Sequence, residues 1–126
     1  MSEGNDWNIL VVEDEPDGQA VVSGILRNFN IATEAVGSAE EALHRLAEQS
    51  YTGVVIDLAL PGMDGMDLLE AIRNNPDIST LPCVAITAFH SSKVKKQALE
   101  AGFDAYLSKP LDRTMFVEAL NRAVSN

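Results

Sequence analysis

Short apolar runs and longer amphipathic stretches alternate five times along this chain, and that alternation restricts it to one kind of architecture. Asn8 to Val12, Ile31 to Val36, Gly53 to Asp57, Cys83 to Thr87 and Asp104 to Ser108 are short enough for strands, and a stretch of helical periodicity follows each. Strand and helix in strict alternation imply right-handed crossovers and a parallel sheet with helices on both faces. The first, third and fourth runs are the most apolar and should be the most buried. Ile31 to Val36 is more polar and alternating, as an edge strand would be. Periodicity alone leaves the strand order open.

The helix signals are local. Pro16 opens the first helix, with Val21, Val22, Ile25, Leu26 and Phe29 at helical spacing. Ser38 and Glu41 form a capping box ahead of the stripe Ala39, Ala42, Leu43, Leu46 and Ala47. Pro61, Gly62 and Gly65 mark a loop, and a helix through Leu68, Leu69 and Ile72 stops before Pro76. Ser91 or Ser92 caps a fourth helix with a thin stripe of Val94, Ala98 and Leu99, which Gly102 ends. Asp112 caps the last, with Met115, Phe116, Ala119, Leu120, Ala123 and Val124 inward.

At 126 residues the chain suits a single domain, 1–126, with a core from about residue 8 to 124. Its 46% hydrophobic and 22% charged residues are ordinary for a globular protein, and no apolar run approaches the roughly 18 residues of a membrane span. The polar, acidic start, Met1 to Asp6, lacks the features of a secretory signal. A lone Cys83 excludes an internal disulfide and fits a reducing cytoplasm. A net charge of −10 argues against direct binding to nucleic acid or anionic membranes. Lys93, Lys95 and Lys96 stand together in this acidic background, as a solvated helix face or a docking patch.

In an open parallel sheet the strands deliver their last residues to one rim. Here those residues are Glu13 and Asp14, Asp57, Thr87 and Lys109. Crowded carboxylates repel one another, and a hard divalent cation such as Mg²⁺ offsets their charge. Lys109 supplies a compact positive charge for a phosphoryl group, and Thr87 a hydroxyl for one of its oxygens. Singly, each has a plainer explanation: Asp14 as a helix cap, Asp57 as a loop start, Thr87 as a strand former, Lys109 as a solvated turn residue. Their joint placement on strand ends favours metal-assisted chemistry on an anion. Pro110 could fix the direction of Lys109 through a cis bond. His44 and His90 read as surface histidines without the partners of a metal cluster or catalytic triad, and no glycine-rich phosphate loop is present.

The runs "VVEDE", "VVIDLALPGMDGMDLL", "CVAITA" and "DAYLSKP", in this order and spacing, resemble the receiver domain of bacterial two-component response regulators, from about Asn8 to the last helix. The resemblance implies a flavodoxin-like, doubly wound, five-stranded parallel sheet in the order 2-1-3-4-5 with five helices. It further implies that Asp57 accepts a phosphoryl group from a histidine kinase or histidine phosphotransfer protein. Asp14, Asp57 and the backbone carbonyl of Ala59 would hold Mg²⁺, with Mn²⁺ as a substitute, and Glu13 would act through a water. Thr87 and Lys109 would hold phosphoryl oxygens. Tyr106 would turn inward as Thr87 moves, altering the face around the fourth helix, fifth strand and fifth helix, where Lys93, Lys95 and Lys96 would dock an effector or output domain.

On this reading the chain catalyses only its own phosphorylation and dephosphorylation, as a monomer or a phosphorylation-linked homodimer. No output domain follows Asn126, which fits a free-standing receiver or the receiver of a longer regulator. Ala59 and Phe89 are apolar where chemotaxis members carry polar side chains, and Leu58 replaces a tryptophan, departures that bear on phosphoryl lifetime. A phosphatase of the haloacid dehalogenase type would need an aspartate where Ala59 stands. A receiver-like binding module outside phosphorylation control is the other alternative, although such modules usually lose acceptor, metal or lysine residues.

Overall fold

The computed structural model describes residues 6–125, so the expectations for Met1 to Asn5 and for Asn126 lie outside the described residues. The chain runs β1 (Asn8–Val12), α1 (Pro16–Asn28), β2 (Ala32–Val36), α2 (Ala39–Glu48), β3 (Gly53–Asp57), α3 (Gly65–Asn74), β4 (Cys83–Thr87), α4 (Ser92–Ala101), β5 (Ala105–Ser108) and α5 (Arg113–Ser125). All neighbouring strands are parallel, in the order β2-β1-β3-β4-β5. This is the flavodoxin-like arrangement that the resemblance implied. Every residue of β3 and β4 is buried, whereas β2 and β5 at the edges are largely half-exposed or exposed.

Side-chain alternation along the central strands divides the core in two. Leu10, Val12, Val54, Ile56 and Ala85 face one cluster with α2, α3 and Ala98 of α4. Ile9, Val11, Val55, Val84 and Ile86 face the other, against Val22, Ile25 and Leu26 of α1 and Phe116 and Leu120 of α5. Fully burying each such side chain contributes roughly 1.5–3 kcal/mol, so the central strands are the rigid base of the rim.

Several helix details differ from expectation. Val21, Phe29, Ala47, Leu99 and Met115 are exposed, because each helix buries only a narrow stripe and these residues lie on its margins. The Ser38 side chain does cap α2 by accepting from Glu41 N, but the Glu41 carboxylate takes the Gly37 N–H instead of closing a reciprocal box. The reciprocal box occurs at α3, between Asp64 and Asp67. Ser91, not Ser92, caps α4, and Asp112 caps α5 through Met115 N. Glu15 precedes α1 without a side-chain cap bond, so Asp14 is not spent on capping.

Candidate phosphoacceptor site

Because β1, β3 and β4 are adjacent and in register, their last residues meet at one edge of the sheet. Among the described residues the buried polar side chains are Glu13, Ser23, Asp57 and Thr87, and all but Ser23 stand at this edge. Glu13, Asp14 and Asp57 each offer a carboxylate oxygen within 4.8 Å of the other two. Hard oxygen donors at that spacing could hold a small divalent cation.

Lys109 enters from the end of β5. Its backbone N–H bonds to Thr87 O at 2.8 Å, continuing the β4–β5 ladder, and the Lys109–Pro110 bond is cis. The ammonium reaches Glu13 Oε1 at 2.6 Å and Asp57 Oδ2 at 2.8 Å. The contact with Glu13 was not foreseen, since Lys109 was matched only to a phosphoryl group. Ala59 N–H donates to Asp57 Oδ1 at 2.8 Å, so both carboxylate oxygens of Asp57 are held by donors.

The electrostatics follow from burial. Desolvation pushes the Glu13 carboxyl above its ordinary range, Lys109 opposes that, and the neighbouring Asp57 reinforces it. For Lys109, desolvation disfavours the ammonium, but the hydrogen bonds to Asp57 and Glu13 outweigh it and leave the lysine above its usual value. Two carboxylates therefore share one ammonium with a third, Asp14, beside them, and the edge is short of positive charge.

Two glycines make room here, and neither was singled out for that role. A Cβ on Gly65 would lie 2.7 Å from Asp57 O and Leu58 Cα, so α3 packs directly on the backbone at Asp57. A Cβ on Gly18 would lie 2.6 Å from Glu13 Cδ and Oε1, and so the first turn of α1 leaves that carboxylate its space. The Gln19 amide donates to Glu13 O at 2.7 Å and ties the acidic loop to the same helix.

Thr87 is buried and its Oγ1 accepts from Phe89 N at 3.0 Å. Tyr106 is half-buried, with its hydroxyl 3.0 Å from His90 Nδ1. His90 is thus a surface residue, as expected, but not an idle one. His44 is also exposed and pairs with Glu48 along α2. Lys93, Lys95 and Lys96 are exposed on α4, and Lys95 borders the groove lined by Tyr106 and Met115. No helix among the described residues is long and apolar enough to cross a membrane.

The family model of the response regulator receiver domain matches residues 9–121. An uncharacterized 14.6 kDa protein of Leptolyngbya boryana is 36% identical over 105 residues, covering 83% of this chain and 80% of that protein. The two-component response regulator PhoP of Pseudomonas aeruginosa is 38% identical over 102 residues, which are 81% of this chain and 44% of PhoP. The chain spans about half or less of the length of other curated relatives, including the sensor protein GacS of Pseudomonas syringae. Among solved structures, the receiver domain of a sensor histidine kinase from Pseudomonas aeruginosa, with a magnesium ion coordinated in its active site cleft, is 29% identical. It superposes with a TM-score of 0.87, covering 95% of this chain and 98% of that one.

Proposed function

The chain belongs to the response regulator receiver domain family of two-component systems, and from that premise we propose that it is a phosphorylation-controlled switch with Asp57 as the acceptor. The observation that carries this reading is the setting of Asp57. It is 4% exposed, oriented through one oxygen by Lys109 and through the other by Ala59 N–H, and flanked by two further carboxylates.

One Asp57 carboxylate oxygen attacks the phosphorus of a phosphohistidine on a kinase or phosphotransfer protein in the cytoplasm. The O–P bond forms as the N–P bond breaks, and the imidazole leaves with the electron pair and takes a proton. Asp14, Asp57 and Ala59 O would hold Mg²⁺, with Glu13 acting through water; the ion supplies neutralisation of the phosphoryl charge. Lys109 moves from sharing two carboxylates to holding a phosphoryl oxygen. Ala59 offers no acid, so the chain acts on no second substrate beyond transfer to and loss from its own aspartate.

The response follows from what Thr87 carries with it. To reach a phosphoryl oxygen Thr87 moves toward Asp57, its hydroxyl donating there while still accepting from Phe89 N–H, and the space it leaves admits Tyr106. That changes the groove between α4, β5 and α5, beside which Lys93, Lys95 and Lys96 receive an effector or output domain. The whole switch lies within residues 8–124, which fold as one unit.

Intact-mass measurement after treatment with acetyl phosphate tests the acceptor. Wild type with Mg²⁺ should gain one phosphoryl group, and Asp57→Asn none. Equal modification of the variant, or uptake unaffected by removing Mg²⁺, would overturn the assignment.

A further inference from the structure

The connection between β4 and α4 holds both residues assigned to the switch. Phe89 N–H donates to Thr87 Oγ1 at 3.0 Å, and on the next residue His90 Nδ1 lies 3.0 Å from the Tyr106 hydroxyl. The His90 and Tyr106 rings are 5.6 Å apart between centroids and tilted by 48°, so the contact is a hydrogen bond beside a ring edge and not a stack. It forms in either protonation state: a neutral imidazole accepts from the hydroxyl or donates to it, and an imidazolium donates. His90 itself is exposed and Tyr106 half-buried, and both line a groove with Lys95, Asp112 and Met115.

These positions assign His90 a task. We propose that His90 is a positioning residue that holds Tyr106 outward in the resting protein, so that one short loop restrains both the threonine and the tyrosine of the switch. The proposal rests on the reading of Thr87 and Tyr106 given above and adds the element that joins them. When Thr87 moves toward a phosphoryl group, the backbone at Phe89, bonded to its hydroxyl oxygen, is drawn along. The adjoining His90 ring moves with it, and Tyr106 loses the partner that fixes its hydroxyl outside. Outward and inward tyrosine are then coupled to the loop by a covalent chain of two residues, in addition to any space that Thr87 vacates. One surface hydrogen bond supports a population change on the order of two- to fivefold, enough to set the resting bias of such a switch without locking it.

The test reads the resting protein, free of phosphodonor and metal. The chain has two tyrosines, so incorporation of 3-fluorotyrosine gives two fluorine resonances, assigned with Tyr51→Phe. In His90→Ala the Tyr106 resonance should move toward the position it takes in wild type treated with beryllofluoride and Mg²⁺. The Phe89 amide should exchange two- to fivefold faster. His90→Gln, which keeps a donor and an acceptor at the same place, should restore both readings at least in part. A Tyr106 resonance that stays at the wild-type position in His90→Ala, or a Phe89 amide whose exchange is unchanged, would overturn the proposal. The acceptor assignment fails separately, by the mass measurement on Asp57→Asn, which does not depend on His90.

Discussion

Replacing Lys109 by methionine removes a charge at nearly constant volume and leaves Glu13 and Asp57 facing each other with Asp14 beside them. Breaking one partner out of a buried ion pair costs about 3–5 kcal/mol, but the Lys109 side chain is 26% exposed, and partial solvent screening lowers that to about 2–3 kcal/mol. The pH dependence has a definite sign. Glu13 already titrates above its ordinary value of 4.5, and losing Lys109 removes the main influence that lowers it. A carboxyl raised in the folded state destabilises most where it is ionised and is relieved as pH falls through its folded value toward 4.5. The gap between variant and wild type should therefore be widest near pH 8 and narrow toward pH 5. Wild type keeps the stabilisation from Lys109 up to the lysine's ordinary value of 10.5 and loses it as pH rises through the higher folded value. Mg²⁺ should also narrow the gap, because a cation at one hundred times its Kd adds about 2.7 kcal/mol and binds the variant without competition from the ammonium. Urea unfolding followed through Trp7, the single tryptophan and 8% exposed, reads these differences in EDTA and in Mg²⁺. A gap that neither acid nor Mg²⁺ reduces would show that charge crowding is not what Lys109 relieves.

Three further outcomes are expected. Ala59 offers no side-chain hydrogen bond to an attacking water, and Phe89, 73% exposed and two residues after Thr87, offers none either, so purified phosphoprotein in Mg²⁺ should decay faster in Ala59→Asn and Phe89→Glu, and fastest in the double variant; unchanged decay in all of them refutes the idea. Gly65→Ala should lose about 1–3 kcal/mol in urea unfolding, because the new methyl meets backbone atoms of Asp57 and Leu58 that cannot yield; a variant as stable as wild type would mean that α3 shifts freely. Burial pushes the Cys83 thiol up to about 12, so a disulfide reagent at pH 8 should react with unfolded but not folded protein, and rapid labelling of the native state would contradict that burial.

The fold was legible because the central strands carry unbroken apolar runs and the helices have local stops, such as Gly102 in a left-handed conformation at the end of α4. Strand order was not, since parallel neighbours are chosen by packing between distant segments; it came from the resemblance. The chemistry at the rim was legible for a related reason: in β1, β3 and β4 a polar residue directly after an apolar run can only stand at the strand's end. Contacts across the rim were less so. Nothing in the local sequence indicates that Lys109 meets Glu13, that Gly18 clears space for the Glu13 carboxylate and Gly65 for the backbone at Asp57, or that His90 meets Tyr106, because each depends on how separate elements pack against one another. Arg73 is a similar case: it lies on α3 yet its guanidinium bonds to Leu81 O in the connection to β4 and to Gly102 O and Asp104 in the connection to β5, tying the two together.

The distribution of buried polarity separates what the fold needs from what the site needs. A parallel sheet covered on both faces gains nothing from burying Glu13, Asp57 and Thr87, and each would be replaced at lower cost by an apolar residue. Their cost is tolerated at one edge, where the partners that satisfy them are few and shared: one ammonium serves Glu13 and Asp57, and one backbone N–H holds Thr87. Shared partners make the arrangement responsive. A ligand oxygen that draws Lys109 or the Thr87 hydroxyl toward itself pulls on groups already bonded to them: Glu13 and Asp57 for the ammonium, and for the hydroxyl Phe89 N–H, in the loop that leads to Tyr106 and the α4–β5–α5 groove. On the proposed reading, these shared bonds are the physical route by which phosphoryl occupancy at Asp57 would reach a surface formed by other elements.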